Sequence, residues 1–142
     1  MATLTAPERE FALELKDLLC ELRRRHWTLI RWGPEEGPQI MAAMFKHQTC
    51  ADVFILRSEH QATAYRVPTL DDTGVFNPQN VTYQYHANPL WTLRAILALP
   101  APGHPDAPIG IEVPANECFL PEKLPQPTLI RPLSPSASLT NN

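Results

Sequence analysis

Phe11, Leu15, Leu18, Leu19 and Leu22 recur at the spacing that gathers side chains on one face of an α-helix, with Glu10, Glu14, Lys16, Asp17 and Glu21 filling the other face. Ahead of this stripe, Thr5-Ala6-Pro7-Glu8 sets a hydroxyl three residues before a carboxylate, so that each can satisfy the other's backbone N–H at a helix start. The pattern predicts an amphipathic helix from near Ala6. It closes on Arg23, Arg24 and Arg25, where cations complement the exposed carbonyls of a last turn.

Trp27 to Trp32 is rich in aromatic and β-branched residues and stops at Gly33-Pro34, which predicts a short strand. Gln39 to His47 is built from good helix formers behind Pro38, and reads as a short second helix. Val53 to Arg57 and Ala62 to Val67 are apolar runs separated by the polar Ser58-Glu59-His60-Gln61, an antiparallel hairpin. Val81, Tyr83 and Tyr85 alternate with polar residues as in a further strand with one wetter face. Over Leu90 to Leu99, the cap signal Asn88-Pro89 favours a helix, yet Trp91, Leu93, Ala95, Leu97 and Leu99 also alternate as in a strand, and both readings stand. Together these elements predict an α+β fold: an amphipathic N-terminal helix and a short second helix packed on one face of a mainly antiparallel sheet.

Proline changes the picture toward the C-terminus. Ten of the sixteen prolines lie from Pro100 onward, a composition that removes backbone donors and favours extended connectors and sheet edges. We therefore divide the 142 residues into a core over 1–99, a proline-rich extended segment over 100–132 packing on it, and a disordered tail over 133–142. Within the second part, Ile109 to Val113 and Thr128 to Ile130 are candidate edge strands. The N-terminus has no basic region followed by an apolar stretch, and no run approaches the length of a spanning helix. Cys20, Cys50 and Cys118 form neither a disulfide framework nor a metal-binding spacing, which points to a reducing, cytoplasmic setting.

Three constellations carry candidate chemistry. His47, Cys50 and Asp52 lie within six residues, near enough for a base to lower a thiol's pKa; they are the candidate catalytic residues. The structural alternative makes Cys50 a small buried residue, His47 the close of a helix and Asp52 a turn acceptor. A zinc site would have to recruit His86, His104 or Cys118 without any spacing signature, so neither a metal nor a cofactor is expected. Arg23, Arg24 and Arg25 with Trp27 combine cations with an aromatic surface and are the candidate nucleic-acid residues. A helix terminus already accounts for those arginines, and the net charge of −3 offers no general field for a polyanion. The acidic pairs Glu35-Glu36 and Asp71-Asp72 read as solvated turns. The PxxP spacings Pro102–Pro105, Pro105–Pro108 and Pro132–Pro135 fit either a ligand for a proline-binding groove or an edge connector. With packing signals abundant and reactive groups dispersed, the preferred reading is a non-enzymatic protein that binds a protein partner or itself. A small enzyme or ligand-binding domain with a pocket around Cys50 and His47, and a weak nucleic-acid binder, are the alternatives.

Overall fold

The computed structural model describes residues 17, 20–33, 40–68 and 75–130. Its strands are β1 (Thr28–Trp32), β2 (Ile40–Lys46), β3 (Ala51–Leu56), β4 (Ala62–Val67), β5 (Tyr83–Ala87) and β6 (Pro127–Ile130). They form one antiparallel sheet in the order β5-β4-β3-β2-β1-β6. Among the described residues, a helix, α1 (Pro89–Ala98), and a 3-10 turn, Asn116–Cys118, accompany it.

This architecture corrects the expected α+β fold. The segment Gln39 to His47, expected as a second helix, is β2 from Ile40 onward, paired with β1 on one side and β3 on the other. The helix preference of Met and Ala is a few tenths of a kcal/mol per residue, at most about 0.7 kcal/mol, and two complete ladders with burial on both faces outweigh it. The small side chains have a packing reason. Ala43 and Ala64 both lie opposite Phe54 in the register, so two methyls make room for one buried ring.

The amphipathic N-terminal helix expected from Ala6 falls mostly outside the described residues, which include from this region only the helical residues 17 and 20–24, with Asp17 exposed. This terminal turn ends in a left-handed cap. Trp27 N–H reaches the carbonyl of Leu22 and His26 N–H that of Arg23, both at 3.0 Å, with His26 at φ 65°. Leu22 and Trp27, on either side of that reversal, are both buried in one core. The cap thus turns the chain directly into β1.

Successive residues of β1 to β4 point to opposite sides and apolar residues occupy both, so the sheet has two apolar faces and both are covered. One face gathers Leu29, Ala43, Phe54, Ala62 and Ala64 beneath Leu93 and Ile96 of α1 and beneath Leu22 and Trp27. The other gathers Ile30, Trp32, Val53, Ile55 and Tyr65 beneath Val75, Val81 and Cys118. Covering on both sides explains why β3 is almost wholly buried and reads as a continuous apolar run. The N-terminus of α1 follows the sequence signal: Asn88 accepts the amide of Trp91 at 2.9 Å and Pro89 opens the helix, which settles the 90–99 ambiguity in favour of helix.

The proline-rich part is built into this core. Glu112 exchanges two backbone hydrogen bonds with Val81, the 3-10 turn buries Cys118, and β6 pairs with β1 at the sheet's far edge. Of the two candidate edge strands, Thr128 to Ile130 lies within β6, whereas Ile109 to Val113 contributes only the bridge at Glu112. The tail over 133–142 lies outside the described residues. Among the described residues, no helix is long and apolar enough to cross a membrane.

Candidate functional site

The register of β4 and β5 sets Thr63 opposite His86 and Tyr65 opposite Gln84, so Gln84 and His86 lie on the same side of an edge strand. Gln84 is fixed from several directions. Its Nε2 donates to Glu112 Oε1 and to the Val113 carbonyl, each at 3.0 Å, while its Oε1 accepts the Ala115 amide at 2.9 Å. The thiol of Cys118 also points at that oxygen, at 3.7 Å. These partners determine which end of the carboxamide is oxygen.

The orientation of Gln84 then determines the tautomer of its neighbour. His86 Nε2 lies 3.0 Å from Gln84 Oε1, an atom that can only accept, so Nε2 carries the proton. The remaining nitrogen, Nδ1, lies 3.0 Å from Thr63 Oγ1 and accepts the threonine hydroxyl. The result is a neutral chain, Thr63 to His86 to Gln84, with no unmatched donor. Burial pushes the His86 pKa below its ordinary value; Glu117 opposes this and Arg57 reinforces it. Cys118 beneath Gln84 is pushed up to about 11, chiefly by burial, and is a thiol rather than a thiolate.

This chain opens onto a cleft of about 270 Å³ where the β3–β4 turn, the end of β5 and the start of α1 converge. Arg57, His60, Thr63, His86, Asn88 and Glu117 are among its walls. Arg57 Nη2 donates to the carbonyls of Glu117 and, at 2.7 Å, of Phe119, and its buried Nε has no acceptor. The guanidinium is thus anchored by neutral groups. The β3–β4 turn is held by Ser58, whose hydroxyl accepts the amides of His60 and Gln61 at 3.1 Å each.

The sequence candidates assemble elsewhere and differently. Asp52 and Arg66 are directly opposite on β3 and β4, and Arg66 grips the carboxylate at both oxygens, with Nε to Oδ1 at 2.5 Å and Nη2 to Oδ2 at 2.9 Å. His47 Nε2 reaches Oδ2 at 3.0 Å and its ring packs edge-on against Phe45, so the imidazole is engaged with the carboxylate. Arg66 Nη1 also holds the carbonyl of Pro100 at 2.8 Å, which ties the end of α1 to the sheet. Cys50 is buried, and desolvation raises its pKa above the ordinary thiol value despite Arg66. The three residues are therefore brought together, but as a buried charge pair with a neighbouring thiol that resists ionisation.

Trp27 is buried and packs its ring against Phe45 at 6.0 Å, so it offers no face to a base. Arg24 and Arg25 both pair with Glu21, Arg25 through Nε at 2.7 Å, and Arg25 also donates to the Leu97 carbonyl at 3.1 Å. Arg23 is exposed. The pairs Glu35-Glu36 and Asp71-Asp72 lie outside the described residues. Among the described residues no group of three or more His, Cys, Asp and Glu is arranged to hold a metal ion. No protein family, no curated protein and no solved structure matches this chain.

The sequence singled out neither Arg57, Thr63 nor Gln84, and offered His86 as a remote zinc ligand or an outlying member of a pocket with Cys50 and His47. One signal was present: in Val81 to His86 the polar Gln84 and His86 occupy alternate positions, which places them on one face. Their partners come from the strand register and from a segment some thirty residues on, which no local pattern carries.

Proposed function

We propose that this protein is a non-enzymatic binding module that engages a protein partner, or a second copy of itself, through the segment Ile109 to Val113. The observation that carries the reading is the exposure of three aliphatic side chains at alternate positions: Ile109 at 89%, Ile111 at 61% and Val113 at 85%. Single exposed aliphatics are ordinary on a protein surface, whereas three in five residues form a contiguous apolar strip of the kind that marks contact sites. The segment is tied to the sheet by the bridge of Val81 with Glu112 and by Gln84, which donates to Glu112 and to the Val113 carbonyl, so the strip is held in place at the surface; an extended segment of this kind suits pairing with a partner strand. Free thiols at Cys20, Cys50 and Cys118 fit a reducing, cytoplasmic setting for such a protein.

The test is a triple substitution, Ile109→Ser, Ile111→Ser and Val113→Ser. All three side chains face solvent, so the thermal midpoint should stay close to that of the wild type. The wild-type chain should form a dimer by light scattering or retain a discrete partner on capture, and the triple variant should lose it. A wild-type chain that is strictly monomeric and captures nothing the variant fails to capture overturns the reading.

A further inference from the structure

The cleft beside His86 gathers groups able to hold an anion: a guanidinium, Arg57, and two imidazoles, His60 and His86, stand in its wall with one carboxylate, Glu117. Arg57 is anchored by the carbonyls of Glu117 and Phe119, which fix its position without cancelling its charge. Among the described residues its hydrogen bonds go to neutral carbonyls, and a counter-ion stabilises a half-buried cation held in this way. The start of α1 adds to this, because Asn88 and the positive end of a ten-residue helix border the same space.

We propose that this cleft binds a small oxyanion, a phosphate or carboxylate group, through Arg57 and His60, with His86 at its floor as a proton acceptor. This site is separate from the strip Ile109 to Val113 and does not depend on it. Burial is the main cause that keeps His86 neutral and Arg57 reinforces it, so an anion seated against Arg57 offsets that second contribution and favours a proton on Nδ1. The Thr63 hydroxyl accommodates that proton by reversing from donor to acceptor. Other titratable groups near His86 are Arg57 from the end of β3, His60 from the β3–β4 turn, Tyr65 from β4, and Glu117, Cys118 and, through Gln84, Glu112 from the proline-rich segment.

The experiment is a titration of the full chain with inorganic phosphate and, separately, with acetate, followed by NMR of the histidine rings and the Thr63 amide. Chloride at matched ionic strength controls for screening. Expected is saturable binding with Kd of about 1 mM for at least one anion, with His60, His86 and Thr63 reporting one isotherm. Arg57→Gln should weaken binding about 10- to 100-fold, the loss of one charged hydrogen-bonding partner. Because that variant also releases the carbonyls of Glu117 and Phe119, Glu117→Gln provides an independent arm. It keeps the carbonyl that Arg57 grips, removes the opposing charge, and should tighten binding several-fold, about 3-fold or more, an effect no loss of folding can produce. Saturation by phosphate alone assigns the cleft to phosphate groups, and by acetate alone to carboxylates. Shifts that follow chloride equally, no saturation with either anion, or affinity unchanged in both Arg57→Gln and Glu117→Gln overturn the proposal.

Discussion

Two polar networks interrupt the apolar sheet, one on each face, and they are built on opposite principles. Beneath α1, Asp52 and Arg66 carry full charges, but each is the other's bidentate partner and both side chains are almost wholly buried, at 6% and 3% exposure. On the other face, Thr63, His86 and Gln84 form a neutral chain whose cation, Arg57, is held by carbonyls at the wall of an open cleft. The first network is closed on itself, with His47 and the Pro100 carbonyl completing its contacts. The second ends at the cleft. A buried charge that is fully matched stabilises one register and leaves nothing for a ligand, whereas an anchored but unmatched charge beside a cavity has capacity to spare.

The largest expected effect breaks the closed network. Asp52→Ala leaves Arg66 charged and buried with only the Pro100 carbonyl, and should cost about 3–5 kcal/mol in denaturant unfolding. The double variant Asp52→Leu with Arg66→Met replaces the pair by apolar volume and should recover most of that loss. If the double variant were as unstable as the single, the pair would owe its value to something other than mutual compensation, and the contrast between the faces would fail.

The neutral network should respond more weakly and in a different way. Gln84→Leu removes the acceptor of the Ala115 amide and of His86 Nε2, with an expected cost of about 1–3 kcal/mol. It also frees the ring, so nitrogen-detected NMR should show a single Nε2–H tautomer in the wild type and a mixture in the variant. A mixed tautomer in the wild type would mean that Gln84 does not orient His86. Smaller still, His26→Gly should stabilise the fold by about 0.5–1 kcal/mol, because His26 occupies the left-handed cap at φ 65° where a side chain is strained. That gain concerns only the α1 face, where the cap delivers Leu22 and Trp27, and should leave the His86 ring signals unmoved.

What the sequence disclosed follows the range of the interaction that decides each feature. The hairpin of β3 and β4 and the cap at Asn88-Pro89 are local, and their residues announce them. Ile40 to Lys46 is decided by neighbours on both sides in the sheet, so its alanines and methionines point to a helix until the pairing with β1 and β3 is known. The same limit applied to the site. His47, Cys50 and Asp52 stand out because they are close in the chain, yet the partner that defines Asp52 is Arg66, one strand away. Arg57, Thr63, Gln84 and Glu117 are spread over sixty residues and meet only because β4, β5 and the 3-10 turn converge.

The smallest expected effect tests the neutrality of the open network directly. Burial lowers the folded-state pKa of His86 below the model-peptide value of 6.5. A histidine kept neutral by the fold contributes its stabilisation fully above the unfolded value and loses it as pH falls through the folded value, because the unfolded chain then binds the proton first. Stability measured in a buffer free of phosphate and carboxylate should therefore fall below pH 6.5, and His86→Gln should remove part of that slope. The closed network offers the control: Asp52→Leu with Arg66→Met leaves His86 and its surroundings in place, so the His86 contribution should persist in that background. Loss of the same acid-side slope from the double variant would show that the two faces are coupled through the sheet rather than independent.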